Sequence, residues 1–167
     1  LVGTGVIGDQ LFVDVNQNGG GAPDAGDKVL PNVKVTLTWT GPGGITRTYE
    51  TTTDAEGKYK FENLLPGEYK VSVDPDSLLK AEPLLDVLTH SPAGDVDAKK
   101  VVSEDVKKDA DKLAQAFNLN TSVTLTGEKN QNLDQDWGFG ISADTAIVKA
   151  ITDPDEEAQE SFEFTPG

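Results

Sequence analysis

The chain is predicted to be mainly β, a β-sandwich carrying one inserted helix, on three observations. Short segments alternate apolar and polar residues at period two, turn-forming clusters separate them at regular intervals, and the period changes once to that of a helix. In residues 6–15, Ile7, Leu11, Val13 and Val15 fall on or near one apolar side. Residues 33–39 alternate strictly and place Val33, Val35, Leu37 and Trp39 on one face. Residues 45–53 are Thr-rich and of high β-propensity. Asp54-Ala55-Glu56-Gly57 turns the chain into residues 58–61, and Leu65-Pro66-Gly67 turns it again into residues 68–73. Short strands at this spacing are the mark of a sandwich or barrel.

The middle of the chain differs. Residues 76–96, punctuated by Pro83, Pro92 and Gly94, read as irregular. Over 97–117 the period becomes helical: Val102, Val106, Ala110, Leu113 and Phe117 recur at steps of three and four. One amphipathic helix is therefore expected there, with its charged faces in solvent. Strand patterns resume at 122–126 and 132–140, and again at 146–151. The expected organisation is a sandwich over 1–142 with an insertion at 76–120. Residues 143–167 then read as a linker and, in preference to extra strands of the same domain, the first strands of a following module.

Composition narrows the function. The 167 residues fit one domain or one domain and a fragment. Twenty-nine acidic residues against fourteen basic ones leave a net charge of -15, which argues against nucleic acid as a partner. Such a balance suits an aqueous surface, or a cation that neutralises some of the carboxylates. Cysteine is absent, and with it disulfides, thiol catalysis and thiolate metal sites. No apolar run approaches the roughly 18 residues of a membrane span. With no Met and Leu at position 1, the chain reads as a segment whose export signal or wall anchor would lie outside it.

The loop after the first strand carries the chemistry. Asp14-Val15-Asn16-Gln17-Asn18-Gly19 sets side-chain oxygens at alternate positions and then a glycine. Calcium takes six to eight hard oxygens, and a tight loop gathers them when alternate residues point inward. This is the front half of an EF-hand-type loop. Its later ligand positions fall on Gly20, Ala22 and Ala25, and Asp24 and Asp27 arrive two residues late. A short insertion at Gly21-Ala22-Pro23 restores the set as Asp14, Asn16, Asn18, a backbone carbonyl near Gly20, Asp24 and Asp27. The competing reading is an Asx-rich turn without metal. A β-pattern precedes the loop and Pro31 with a strand follows it, so the flanking helices of an EF-hand are not expected.

Five ordered segments resemble the B-type repeats of serine-aspartate-repeat bacterial surface adhesins. They are residues 7–19, 29–37, 51–61, 64–71 and 133–139, the last reading Leu133-Asp134-Gln135-Asp136-Trp137-Gly138-Phe139. The resemblance spans about residues 6–141. It implies a transthyretin-like (Ig-like, collagen-adhesin B-type) β-sandwich, calcium in the Asp/Asn loop, and a stalk or spacer role in a cell-wall-anchored or pilus-like surface protein. Residues 76–120 are longer than the connection the resemblance implies, and their helix is unexpected. Related modules carry Lys–Asn or Lys–Asp isopeptide bonds assisted by a buried Glu. The first strand has no Lys, so none is expected within this sandwich; Lys149 with Glu163 would be the opening half of a cross-linked following module.

Other residues carry less. His90, near Ser91 and Asp86, lacks the context of a nucleophile and reads as an incidental loop histidine. Asp134 and Asp136, two apart on an expected strand, face one side and either cap the calcium loop, ligate a second ion or face water. Trp39, Trp137, Phe61, Tyr59 and Tyr69 read as packing residues rather than a sugar platform. No convergent catalytic set is visible, so no enzyme is expected. The leading function is a calcium-stiffened structural module that contacts neighbouring modules at the bacterial cell surface. The alternative is an adhesive module whose 76–120 insertion contacts a host protein, a glycan or a neighbouring subunit. An accessory domain of an extracellular enzyme is the third reading.

Overall fold

The computed structural model of the chain describes residues 3–92, 94–95 and 101–142. Lys149, Glu163 and the strand patterns of the tail lie outside them. The described residues form two packed sheets, the sandwich that the alternation predicts.

The smaller sheet has the order β4-β3-β6-β9, built from β3 (Lys34–Thr40), β4 (Thr46–Thr52), β6 (Gly67–Val73) and β9 (Asn120–Leu125), all antiparallel. Register puts Leu37 opposite both Tyr49 and Val71, so the inward positions of three strands coincide. Val33, Val35, Leu37, Tyr69, Val71, Val73, Val123 and Leu125 are buried on that side. The intervening Thr, Lys and Glu face water.

The larger sheet is organised by β1 (Gly5–Val13). At Ile7 this strand lies between Phe61 of β5 (Lys58–Leu64), antiparallel, and Asn132 of β10 (Gln131–Asn132), parallel. At Phe12 it lies between Val29 of β2 (Lys28–Val29) and Gly138 of β11 (Trp137–Gly140), again antiparallel and parallel. Gly138 is required there: a Cβ would stand 2.8 Å from the ring of Phe12. Ile7, Leu11, Phe12 and Val13 are buried as an inner strand demands. Val15, expected on the apolar side, is 56% exposed because the strand ends at Val13 and the loop begins.

Residues 76–96 are more regular than their prolines imply. Asp74 caps α1 (Pro75–Ala81), its Oδ2 accepting the Ser77 amide at 3.0 Å with Pro75 in the first turn. The chain then adds β7 (Val87–Ser91) antiparallel to β11, followed by the short β8 (Gly94–Asp95). The insertion thus supplies two strands to the larger sheet.

The single helix expected at 97–117 is instead two short ones, α2 (Glu104–Lys107) and α3 (Ala110–Ala116). Asp109 is the cause of the break. It takes an extended conformation and its Oδ1 accepts the amides of Asp111 (3.0 Å) and Lys112 (3.2 Å), starting a new helix. The apolar stripe survives in part. Val102, Leu113 and Phe117 are buried, Val106 is half-buried, and Ala110 is exposed. Phe117 meets Phe139 of β11 with ring centroids 5.1 Å apart, and Trp137 donates its indole N–H to the Asn118 carbonyl at 3.0 Å. The two helices therefore close one side of the common core.

Candidate metal centre

The loop between β1 and β2 folds around the carboxylate of Asp14, which is fully buried at the end of β1. Asp14 Oδ2 accepts the Gly19 amide at 2.8 Å, Oδ1 lies 3.4 Å from the Asn18 amide, and the Asp14 carbonyl accepts from Gln17 N–H at 3.1 Å. Gln17 has φ +53° and Gly20 φ +96°, left-handed conformations that turn the chain back on itself; at Gly20 a side chain would be strained. Asp27 closes the far end. Its two carboxylate oxygens accept the amides of Val15 and Asp24, each at 2.9 Å. The Asn18 side-chain amide donates to Asp24 Oδ2 at 2.6 Å.

Four of the six sequence-selected residues, Asp14, Asn18, Asp24 and Asp27, are thus joined in one hydrogen-bonded loop. The late arrival of Asp24 and Asp27 is absorbed by residues 20–23, so both carboxylates return to the base of the loop. Asn16 is exposed and Gly20 half-buried on its rim. Among the described residues no three His, Cys, Asp or Glu side chains stand together as a metal-holding group. The donor set nevertheless suits a hard cation: three carboxylates, two amide oxygens and a carbonyl, with no nitrogen or sulfur ligand required. A carboxylate oxygen that accepts one N–H keeps a second lone pair, so the loop's hydrogen bonds and an ion can share these groups.

Asp134 and Asp136 do not lie on one face of a strand. Asn132 Oδ1 accepts the Asp134 amide at 3.0 Å in an Asx turn, which ends β10, and β11 starts only at Trp137. Asp134 is consequently exposed and Asp136 buried. Asp136 does reach the loop: a Cβ on Gly21 would stand 3.6 Å from its Oδ2 and 3.1 Å from Nε2 of His90. His90 is a β7 residue seated under Gly21, and no local sequence signal marks that approach.

Burial pushes the Asp136 carboxyl up to about 7, with the Asp9 charge adding to the rise, the Gln10 amide at 3.0 Å opposing it and Asp134 contributing last. The unfolded carboxyl ionises near 4, so between pH 4 and 7 the folded protein holds a proton that the unfolded chain has released. Stability from this group is therefore full below pH 4 and is lost as pH rises through 7. Asp136→Asn keeps the acceptor for Gln10 and removes the charge. In chelator it is expected to raise stability by about 2 kcal/mol at pH 8 and leave it unchanged near pH 4. Urea unfolding at the two pH values measures the difference; a variant weaker than the parent at pH 8 would contradict the assignment.

This β-sandwich, with β1 and β11 paired in parallel and an Asp/Asn loop at their junction, is similar in sequence to the B-type modules of cell-surface adhesins. Residues 5–83 match the SdrD B-like domain and belong to that family. The chain is 30% identical over 129 residues to bone sialoprotein-binding protein of Staphylococcus aureus strain MRSA252, covering 77% of this chain and 9% of that protein. It is 30% identical over 128 residues to serine-aspartate repeat-containing protein D of the Newman strain, 77% of this chain and 8% of that one. The chain thus spans under a tenth of the curated relatives it matches. It is a surface-protein module of a non-enzymatic type. No helix among the described residues is long and apolar enough to cross a membrane.

Proposed function

We propose that this module is a structural spacer of a bacterial cell-surface protein, stiffened by calcium in the 14–27 loop. The observation that carries the reading is the fully buried Asp14 carboxylate in a hydrogen-bonded loop that also holds Asn18, Asp24 and Asp27. Calcium would supply positive charge to carboxylates that otherwise repel one another. Asp14, Asp24 and Asp27 would ligate it by carboxylate, Asn16 and Asn18 by amide oxygen and Gly20 by its carbonyl. The loop joins β1 to β2 and its first residue donates to the Phe139 carbonyl at 2.6 Å, so ordering it would stiffen the junction of β1 and β11. The insertion's apolar residues Leu113, Phe117 and Leu119 are turned into the core, which favours the spacer over adhesion through 76–120. Neighbouring modules would then be the principal partners, with residues 143–167 leading towards one.

A thermal melt with calcium, with chelator and with magnesium tests the proposal. At a hundredfold excess over the dissociation constant, calcium is expected to add about 2.7 kcal/mol. That corresponds to a rise in Tm of roughly 5–10 °C for a chain of this size, with a smaller response to magnesium. Identical melts in calcium and chelator would leave the loop an Asx-rich turn.

A further inference from the structure

β11 ends at Gly140, and two segments distant in sequence grip the two residues that follow it, Ile141 and Ser142. From one side, Gln17 donates its side-chain amide to the Ile141 carbonyl at 2.9 Å. Its methylenes pass so close to Gly140 that a Cβ there would stand 3.0 Å from Gln17 Cγ. From the other side, Asp86, between α1 and β7 and 2% exposed, receives Ser142 twice. The Ser142 amide donates to Oδ1 and its hydroxyl to Oδ2, both at 2.7 Å. Asp86 is itself held through its backbone: its N–H donates to Gly140 O at 3.0 Å and its carbonyl accepts from Val102 N–H at 2.7 Å.

A carboxylate removed from water is retained where charged hydrogen bonds replace its hydration. Here two of those bonds go to one residue, Ser142, beyond β11, whose amide and hydroxyl water could otherwise satisfy. We infer that Asp86 and Gln17 are the positioning residues of a two-sided clamp that fixes the course of the chain at Ile141 and Ser142, just past β11, and that the 76–120 insertion serves this joint. The clamp consists of protein groups alone and stands without an ion. Gln17 also belongs to the 14–27 loop, so ordering of that loop would tighten the joint; this second part rests on the proposed calcium reading.

The test uses the 15N-labelled 167-residue chain, in chelator and in calcium. Amide exchange of Ser142 and residual dipolar couplings of the Ile141 and Ser142 N–H vectors are measured against those of β3 and β6. Asp86→Ala is expected to speed Ser142 exchange about tenfold or more and to collapse its coupling, with β3 and β6 unchanged. Gln17→Ala should collapse the Ile141 coupling in the same way. Ser142→Ala, which removes only the hydroxyl contact and spares the core, should speed exchange of the amide at position 142 roughly threefold and keeps the test decisive where Asp86→Ala does not fold. Unchanged Ser142 exchange in these variants, or equal loss across β3 and β6, would overturn the clamp. Calcium protection of Ser142 that vanishes in Gln17→Ala supports the coupling. Clamp effects with no response to calcium would overturn the coupling and leave the clamp standing, while the thermal melt decides calcium binding itself.

Discussion

Phe117→Ala is expected to destabilise the module by about 3–5 kcal/mol, the largest loss from any single change considered. Phe117 is fully buried, follows directly on α3 and packs its ring against Phe139 of β11. Truncation removes most of its apolar contact with the sheet. It leaves a void beside the Phe139 ring in the core. Val106→Ala, at a half-buried position, should lose about 1 kcal/mol or less. Guanidinium unfolding of both variants separates two pictures of the insertion. An appendage would unfold separately and leave the sandwich transition in place, whereas a layer of the core lowers the midpoint of one cooperative transition.

The second large effect belongs to Asp14→Ala, and it divides by condition. In chelator the change removes the acceptor of the Gly19 amide inside a closed loop, which is expected to lower stability by about 1–3 kcal/mol. In calcium the parent's rise in Tm should disappear, so the gap between parent and variant widens as the ion is added. Asp134→Ala, at an exposed position outside the loop, should retain the full response. Paired melts of the three proteins with and without calcium report both parts. A calcium shift of undiminished size in Asp14→Ala would take Asp14 out of the ligand set even if the loss in chelator is found.

The candidate loop was legible to the extent that its chemistry is local. Asp14, Asn16 and Asn18 lie at alternate positions before a glycine, and that spacing is a property of a few consecutive residues. Asp24 and Asp27 needed an assumed insertion, since nothing local says that residues 20–23 bulge away and return. The break between α2 and α3 has a local signal, Asp109 directly before Ala110, but the apolar stripe runs straight through it at helical spacing. β7 went unread because a five-residue strand flanked by Pro83 and Pro92 carries too little periodicity to stand above its flanks.

By itself the sequence determined the sandwich, its inward faces, the Asp/Asn loop and membership of the adhesin-module class. Period-two burial, turn chemistry and ordered motifs are all written in neighbouring residues. Only the tertiary structure decided that Asp134 is exposed and Asp136 buried, that Gly21 rests on His90, and that Gln17 and Asp86 meet at Ile141 and Ser142. Those placements join positions tens of residues apart. They follow from which strands pair, and the parallel register of β1 with β11 and the pairing of β7 beside it are set by the packing of the whole core.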